Sequence, residues 1–383
     1  MSGVVAPAPT EPTGRSDRTS KSISTAWSRP GSLFDRFYDL PLILVFAAMV
    51  GTVGVFHPEF LNRYSLTNIG TEAAYFGTMA LGMVFLLSMR EIDLSVGSIF
   101  GLTIIVVASL VERGVDPWLA ALVGVMVGPV LGTVNGLITN ALRIQTIVVT
   151  LGTLSVYRSL ALILANDRIL ENNLPTQDSY FQVLGGTILS VPVSIWMFLV
   201  LAAILHVVYR YTRFGFNVRA IGSNPEAARL AGISIDGTRL SALILQGLLC
   251  SIVGVVTFAY LEAGDPITGT GFELSVIAAA IIGGTALSGG QGSVFGALIG
   301  ALIIATITTG LIQFGVTQDW GLFATGTAIV AAVALDAFLK RRRIQAAEKL
   351  GVTATSSGRH YQLPGAGAPL TPTQEDPGAG SRP

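Results

Sequence analysis

Residues 117–138 read Pro-Trp-Leu-Ala-Ala-Leu-Val-Gly-Val-Met-Val-Gly-Pro-Val-Leu-Gly-Thr-Val-Asn-Gly-Leu-Ile and contain no charged side chain. A helix rises 1.5 Å per residue, so about 20 such residues cover the ~30 Å hydrocarbon core of a bilayer. The stretch therefore predicts a membrane-spanning helix, and its character recurs along most of the chain.

Glycines within this predicted span recur every four residues and form a ridge on one face of the helix. In lipid, helices associate through small residues that allow close backbone contact, so we expect a neighbouring helix against this ridge. Simple packing and a sliding contact for alternating access both fit the pattern. The ridge consists of Gly124, Gly128, Gly132 and Gly136, and a second one of Gly292, Gly296 and Gly300.

Ten apolar segments are long enough to be considered as spans. Composition agrees, because 51% of the 383 residues are hydrophobic and only 12% are charged, about half the charge of an ordinary soluble domain. We predict an all-α polytopic membrane protein with about ten transmembrane helices. The eighth is short and is either a half-crossing or a re-entrant piece. The predicted spans are roughly 40–57, 68–89, 94–110, 117–138, 147–165, 193–209, 240–261, 274–288, 294–314 and 321–339.

The distribution of Lys and Arg predicts the orientation, because basic residues near span ends stay in the cytoplasm. Placing the N-terminus inside leaves only three basic residues outside, Arg63, Arg113 and Arg168. Both termini are then cytoplasmic if the number of crossings is even. Residues 1–39 and 340–383 have the composition of disordered tails, and the membrane domain comprises 40–339 with a cytoplasmic connector at 210–239.

Several classes of function lack the residues they require. Lys and Arg together equal Asp and Glu, so no basic excess points to nucleic acid. The single cysteine, Cys250, and three scattered histidines offer no metal site, and no paired carboxylates or nucleophile with a base suggest an enzyme. None of the three lysines follows a glycine, so the chain has no phosphate-binding P-loop.

The connector at 210–239 contains a short helix with clear end signals. Asn224 is a good N-cap, Pro225 suits the first helical position, Glu226 complements the helix dipole, and Gly232 fits the left-handed residue after the end. Its Ala227, Ala228 and Leu230 are expected to form a compact apolar surface beside Arg229. Since two turns are marginal alone, we expect this helix to persist by docking, on its own protein or on a partner.

The run Gly-Ser-Asn-Pro-Glu-Ala-Ala-Arg-Leu-Ala-Gly-Ile at 222–233 closely resembles the coupling segment of the inner-membrane permease subunits of ribose-type ABC sugar importers. Three more blocks agree in family order, and together the four cover about residues 40 to 340. Glu91 departs from the pattern, because the family usually has glycine there, and this affects only the expected local turn. The further blocks are Ile92–Ser98, Ile147–Arg158 and Phe272–Thr285 with Gly289–Ser293.

The resemblance implies a permease of the plasma (inner) membrane that imports a monosaccharide by alternating access. It implies a second permease copy, in a homo- or heterodimer, a cytoplasmic ATP-binding subunit and an extracytoplasmic sugar-binding protein. The chain itself would hold no cofactor, because ATP and Mg would bind the partner ATPase. Coupling to that subunit would fall on Asn224, Pro225, Glu226, Ala227, Ala228, Arg229 and Gly232.

Polar side chains inside spans are candidates for the translocation pathway, because such groups are costly against lipid. Inter-helix hydrogen bonding explains each of them equally well. Arg158 is expected to be an interfacial anchor, and Glu72 to lie within a turn or so of a span end. The pathway candidates are Asn135, Gln246, Thr306, Thr308, Thr309 and Gln313.

Asp93 and Ser95 precede the third predicted span and are assigned as its helix cap, with a gating role as the alternative. A competing interpretation of the whole chain is an ion-coupled secondary transporter of a small polar solute. That class needs buried Asp, Glu or His clusters near the bilayer midplane, and the predicted spans offer almost none.

Overall fold

The computed structural model describes residues 40–172, 178–317, 320–321, 323–331 and 334. The two predicted tails, 1–39 and 340–383, lie outside the described residues, and the tenth predicted span, 321–339, lies only partly within them. Residues 320–321 and 323–331 are helical.

The described chain is almost entirely helical. Six of its helices, α2, α4, α5, α7, α10 and α12 below, are long and apolar enough to cross a membrane. The helices are α1 (Leu40–Phe56), α2 (Arg63–Ser88), α3 (Val96–Glu112), α4 (Pro117–Leu142), α5 (Thr146–Ala165), α6 (Ser179–Leu184), α7 (Val193–Tyr211), α8 (Arg213–Ser223), α9 (Pro225–Leu230), α10 (Ile235–Leu261), α11 (Phe272–Ile282) and α12 (Val294–Gln313). The predicted helical, multi-pass membrane architecture is thus confirmed.

The first nine predicted spans each coincide with a helix, with differences at the ends. Helix α10 begins five residues before its predicted span, because Ser234 caps it by accepting from the Gly237 N–H at 3.2 Å. Helix α11 ends at Ile282 rather than 288, since Gly284 adopts a positive φ of 87°. Its 11 residues measure about 16 Å, half of a hydrocarbon core.

Short non-membrane elements connect the helices. Strand β1 (Leu170–Glu171) pairs antiparallel with β4 (Ala263–Gly264), with Leu170 opposite Gly264. Strand β2 (Thr187–Ile188) pairs antiparallel with β3 (Val191–Pro192), and a 3₁₀ turn at Pro58–Leu61 precedes α2. The β1–β4 ladder holds the start of the 263–271 segment beside the end of α3.

The core of the protomer is built on α2 and α10, whose side chains are mostly buried, whereas only about a third of those on α4, α5 and α7 are buried. Helix α3 is also largely buried, with Ile99, Phe100 and Ile104 fully enclosed. In a membrane protein the exposed apolar faces contact lipid or another protein chain.

The predicted glycine ridge of α4 packs against α10. A methyl group on Gly128 would overlap the carbonyl of Gly247, and one on Gly132 would overlap the carbonyl of Leu243. Only glycine permits this backbone approach. The predicted neighbouring helix is therefore confirmed as α10.

The second ridge packs in the same way. Methyl groups on Gly296 and Gly300 of α12 would overlap the carbonyls of Gly283, just after α11, and of Ala279, in its last turn. The short helix α11 is thus clamped against α12 along its length.

Candidate coupling surface and translocation pathway

The predicted capped helix is α9. The Asn224 side-chain oxygen accepts from the N–H groups of Glu226 at 3.1 Å and Ala227 at 3.0 Å. Gly232 has a φ of 82°, the left-handed conformation that its position after the helix end predicts. The local structure of this segment is therefore as the sequence indicates.

The apolar surface expected on α9 needs correction. Ala228 is only 4% exposed and packs into the protein core, whereas Leu230 is 85% exposed. Glu226, Ala227 and Arg229 are also exposed. The outward surface of α9 is therefore formed by Glu226, Ala227, Arg229 and Leu230, and Ala228 holds the helix on its own chain.

Helix α8 precedes α9 and seats it on the membrane domain. Gly222, near the end of α8, lies so close to the Ser88 carbonyl that any side chain would overlap it. That carbonyl also accepts from the Gly290 N–H at 2.8 Å, and the Ser88 hydroxyl bonds to the Tyr209 hydroxyl at 2.8 Å. Ser88 thus joins the end of α2 to α7, α8 and the loop after α11. Helix α8 was not among the predicted elements, although the spacing of Phe214, Val218 and Ile221 by four and three residues indicates a helix.

Arg239 links three elements next to α9. Its Nε lies 2.7 Å from Glu91 Oε1, and its Nη1 donates to Asn140 at 2.9 Å and to Asp236 at 3.2 Å. The amide of Asn140 donates in turn to the Asp236 carbonyl at 3.0 Å. Glu91, expected to affect only a local turn, therefore forms an ion pair with the start of α10.

An open cavity of about 1020 Å³ lies between this network and α9. The turns that follow α2 and α4 and the start of α10 form its walls, with Arg90, Arg143, Arg229 and Arg239 among the lining residues. Its lining carries four arginines against the two carboxylates of Glu91 and Asp236, so it suits a polar environment rather than lipid.

Asp93, Ser95 and Asn135 belong to one fully buried network. Asp93 Oδ1 accepts from the Ser95 N–H at 2.8 Å and the Ser95 hydroxyl at 2.6 Å. Asn135 donates to the Ser95 hydroxyl oxygen at 2.9 Å and accepts from the Tyr157 hydroxyl at 3.0 Å. Ser95 is the N-cap of α3, but its own side chain makes no capping hydrogen bond. The network joins the turn before α3 to α4 and α5.

Two other pathway candidates also bond within the protomer. Gln246, fully buried, donates to the Met79 carbonyl at 3.1 Å, and Thr306 donates to Leu302 on its own helix at 2.8 Å. The side chain of Gln313 lies outside the described residues.

Thr308 and Thr309 bind the carboxylate of Glu72, which was not among the predicted pathway residues. Thr308 donates to Glu72 Oε1 at 2.7 Å and Thr309 to Glu72 Oε2 at 3.2 Å. The expected end position of Glu72 was wrong, because α2 begins at Arg63 and places it more than two turns inside the helix. The sequence signal for this contact is a lone acidic residue in one apolar segment and a Thr-Thr pair in another.

Arg158 does not extend to the interface as expected. Its Nη1 donates to the carbonyls of Pro266 at 2.6 Å and Thr268 at 2.8 Å, and its Nη2 to the Gly97 carbonyl at 3.1 Å. The guanidinium therefore points into the protein, where it satisfies backbone carbonyls of the non-helical chain before α11. The sequence does not reveal these acceptors, because they are backbone carbonyls that lie 61 to 110 residues away along the chain.

In the part of the chain that the structure describes, no group of three or more His, Cys, Asp or Glu side chains could hold a metal ion. The arrangement consists of helix-joining hydrogen bonds, an exposed capped helix and an open cationic cavity.

A family described as the permease component of branched-chain amino acid transport systems matches residues 65–333. The chain belongs to this permease family. The match covers most of the chain and all of the helices from α3 to α12. The family is one of transport permeases, so the chain is a transport protein of the inner membrane.

The relatives of this permease include sugar transporters. It is 33% identical to the D-allose transport system permease of Escherichia coli over 85% of this chain and 97% of the relative. It is 36% identical to the ribose import permease of Bacillus subtilis, over 75% and 89%, and 31% identical to the L-arabinose ABC transporter permease of Azospirillum brasilense, over 79% and 88%. No solved structure matches the chain. The resemblance to ribose-type ABC sugar permeases is therefore confirmed.

Proposed function

We propose that this permease imports a monosaccharide by alternating access, driven by ATP hydrolysis on a separate cytoplasmic subunit. The family description names branched-chain amino acids, whereas the relatives above carry the names of ribose, allose and arabinose systems. The near full-length similarity to the sugar permeases favours a sugar. The observation that carries the coupling proposal is α9, a capped helix that exposes Glu226, Ala227, Arg229 and Leu230.

The topology that fits this function has ten crossings and both termini in the cytoplasm. The domain limits then remain as predicted, with tails at 1–39 and 340–383 around a membrane domain at 40–339. In this orientation α9 and the cationic cavity face the cytoplasm, where an ATP-binding subunit docks. The eighth crossing combines the non-helical residues 265–271 with the short helix α11.

The partners proposed are a second permease copy, the ATP-binding subunit and an extracytoplasmic sugar-binding protein. ATP and Mg bind the partner ATPase, and the permease holds no cofactor. Asn224, Pro225 and Gly232 shape the coupling segment, while Glu226, Ala227, Arg229 and Leu230 contact the ATPase. Asp93 accepts from the Ser95 N–H in the turn before α3, and the Ser95 hydroxyl holds this turn on α4 through Asn135.

The decisive experiment reconstitutes the permease with its ATPase subunit and binding protein in proteoliposomes. Uptake of D-ribose, D-allose or L-arabinose should require ATP and should not respond to an imposed proton or sodium gradient. Uptake that follows an ion gradient in the absence of ATP would instead support the ion-coupled secondary transporter.

The coupling surface has its own test. Glu226→Arg reverses the charge on the exposed face of α9 and should uncouple ATP hydrolysis from uptake while the permease stays folded. Asn217→Asp, on the neighbouring α8, is a control that changes charge outside α9. Unchanged uptake by the Glu226 variant would count against α9 as the coupling element.

A further inference from the structure

The chain after β4 runs through a series of turns beside α3. Gly264 packs against Ala108, and Gly269 packs against Gly97 and Phe100. The segment therefore follows α3 from near its Glu112 end to its first turn. The segment Asp265–Gly271 therefore lies at membrane depth without being a helix.

The backbone of this re-entrant segment is held by a few specific bonds. Arg158 binds the Pro266 and Thr268 carbonyls, and the Asp265 side chain accepts from the Ile267 N–H at 3.0 Å. The side of the segment that faces away from α3 is nevertheless exposed on the protomer surface. Ile267 is 61% exposed, and Thr270 and Leu274 are exposed as well.

Glu273 lies in the first turn of α11 and is half-buried. Its carboxylate reaches the first turn of α3, beside Gly97. Within the described ranges it makes no direct hydrogen bond or salt bridge, but its charge interacts electrostatically with the Arg158 guanidinium. A carboxylate at this depth is costly against lipid, and non-helical backbone at membrane depth is tolerated only inside protein or along a water-filled cavity. This face therefore does not face lipid.

We propose that Asp265–Gly271 and Glu273 line the solute path, with Glu273 accepting hydrogen bonds from sugar hydroxyls. The proposal rests on the proposed function, in which a monosaccharide passes between two permease copies. A carboxylate has only acceptor sites, which match the O–H groups that cover a sugar. Arg158 is a positioning residue, because its guanidinium donates to the carbonyls of Pro266 and Thr268 in the segment and of Gly97 on α3.

The burial of the other candidates supports this placement. Asn135, Gln246 and Thr306 are enclosed within the protomer and bonded to their own chain. Large apolar side chains pack helices α3 and α10 in this part of the protomer. The exposed, non-helical segment is the better candidate for a surface that contacts water and solute.

The first test is thiol accessibility in the assembled transporter. Cys250 is the only cysteine and is fully buried, so Cys250→Ala gives a cysteine-free background. Thr270→Cys and Leu274→Cys should react with a charged methanethiosulfonate at least tenfold faster than Val130→Cys and Ile204→Cys. These controls are exposed apolar positions on α4 and α7. Equal reactivity at all four positions, or disulfide formation between copies at Thr270→Cys without labelling, would overturn the proposal.

The second test addresses Glu273 with whichever of D-ribose, D-allose and L-arabinose the wild type transports. Glu273→Gln should raise KM about tenfold with little change in kcat, the effect of one lost hydrogen bond to a charged group. The variant should assemble and elute like the wild type. An unchanged KM would remove Glu273 as a sugar contact. If the wild type transports none of these sugars, the proposed function fails, while the labelling result still decides where the path lies.

Discussion

Glu91 and Arg239 form an ion pair at 2.7 Å although 148 residues separate them in the sequence. Glu91 lies in the turn between α2 and α3, and Arg239 lies on α10, nine residues after the end of α9. Both side chains are largely buried, with 15% and 19% of their surfaces exposed. The pair connects the start of α10, which follows the coupling segment, to the turn that leads to Asp93.

Loss of this pair is expected to weaken coupling. Glu91→Gln removes the charge and keeps the shape, so transport per ATP hydrolysed should fall about fivefold, in line with about 1 kcal/mol for a partly buried pair. The measurement is sugar uptake and phosphate release in the same proteoliposomes. Asp236→Asn is the control, because that carboxylate is 72% exposed and should contribute little. A normal ratio in the Glu91 variant would show that the pair does not transmit motion.

The contact between α4 and α10 predicts an effect on stability. Gly132→Ala places a methyl group against the Leu243 carbonyl, and such overpacking costs about 1–3 kcal/mol. The melting temperature of the purified permease in detergent should therefore fall by several degrees. Gly51→Ala on α1 is the matched control, since nothing lies within 4 Å of a methyl group there. Equal melting temperatures would mean that the two helices separate easily.

Features that depend on a local pattern of residues or on the physics of the membrane could be predicted from the sequence. Apolar length predicts the helices, four-residue glycine spacing predicts a close neighbour, and the Asn-Pro-Glu run with its later glycine predicts α9. The sequence was not sufficient for contacts between distant segments. Arg158 was misplaced because its acceptors are carbonyls of the 265–271 segment, and backbone carbonyls carry no sequence signal.

The sequence also does not predict which side chains of a short helix face the protein core. Ala227 and Ala228 are chemically identical, and only the seating of α9 on α8 decides that Ala228 faces the core. Glu72 shows a related limit. Its role depends on where α2 begins, and the helix extends five residues further toward the N-terminus than the apolar pattern indicates.

The two alanines of α9 should therefore respond differently to the same change. Ala228→Leu inserts a large side chain into a packed site and should lower the melting temperature and the yield of folded permease. Ala227→Leu should leave the fold intact, because Ala227 is exposed, and should reduce ATP-driven uptake by obstructing the docking surface. Thermal unfolding and uptake measured on both variants separate the two effects. Two stable variants with equal uptake would contradict both the seating and the proposed docking.

A comparison of Arg158 with an exposed arginine separates the effect of a guanidinium that binds backbone carbonyls from the effect of a surface charge. Arg158→Gln leaves at least one of three carbonyls without a donor, at a cost of about 1–3 kcal/mol for each unsatisfied buried group. The re-entrant segment should then loosen, so that Thr270→Cys in the cysteine-free background becomes more reactive and the melting temperature falls. Arg168→Gln is the control, because Arg168 is an exposed residue paired with Glu112 at 2.8 Å and such pairs contribute about 0–1 kcal/mol. Arg158→Lys should restore part of the stability, since an ammonium reaches fewer carbonyls than the planar guanidinium. An Arg158→Gln variant as stable and as unreactive as the Arg168 control would show that the segment holds its position without the arginine.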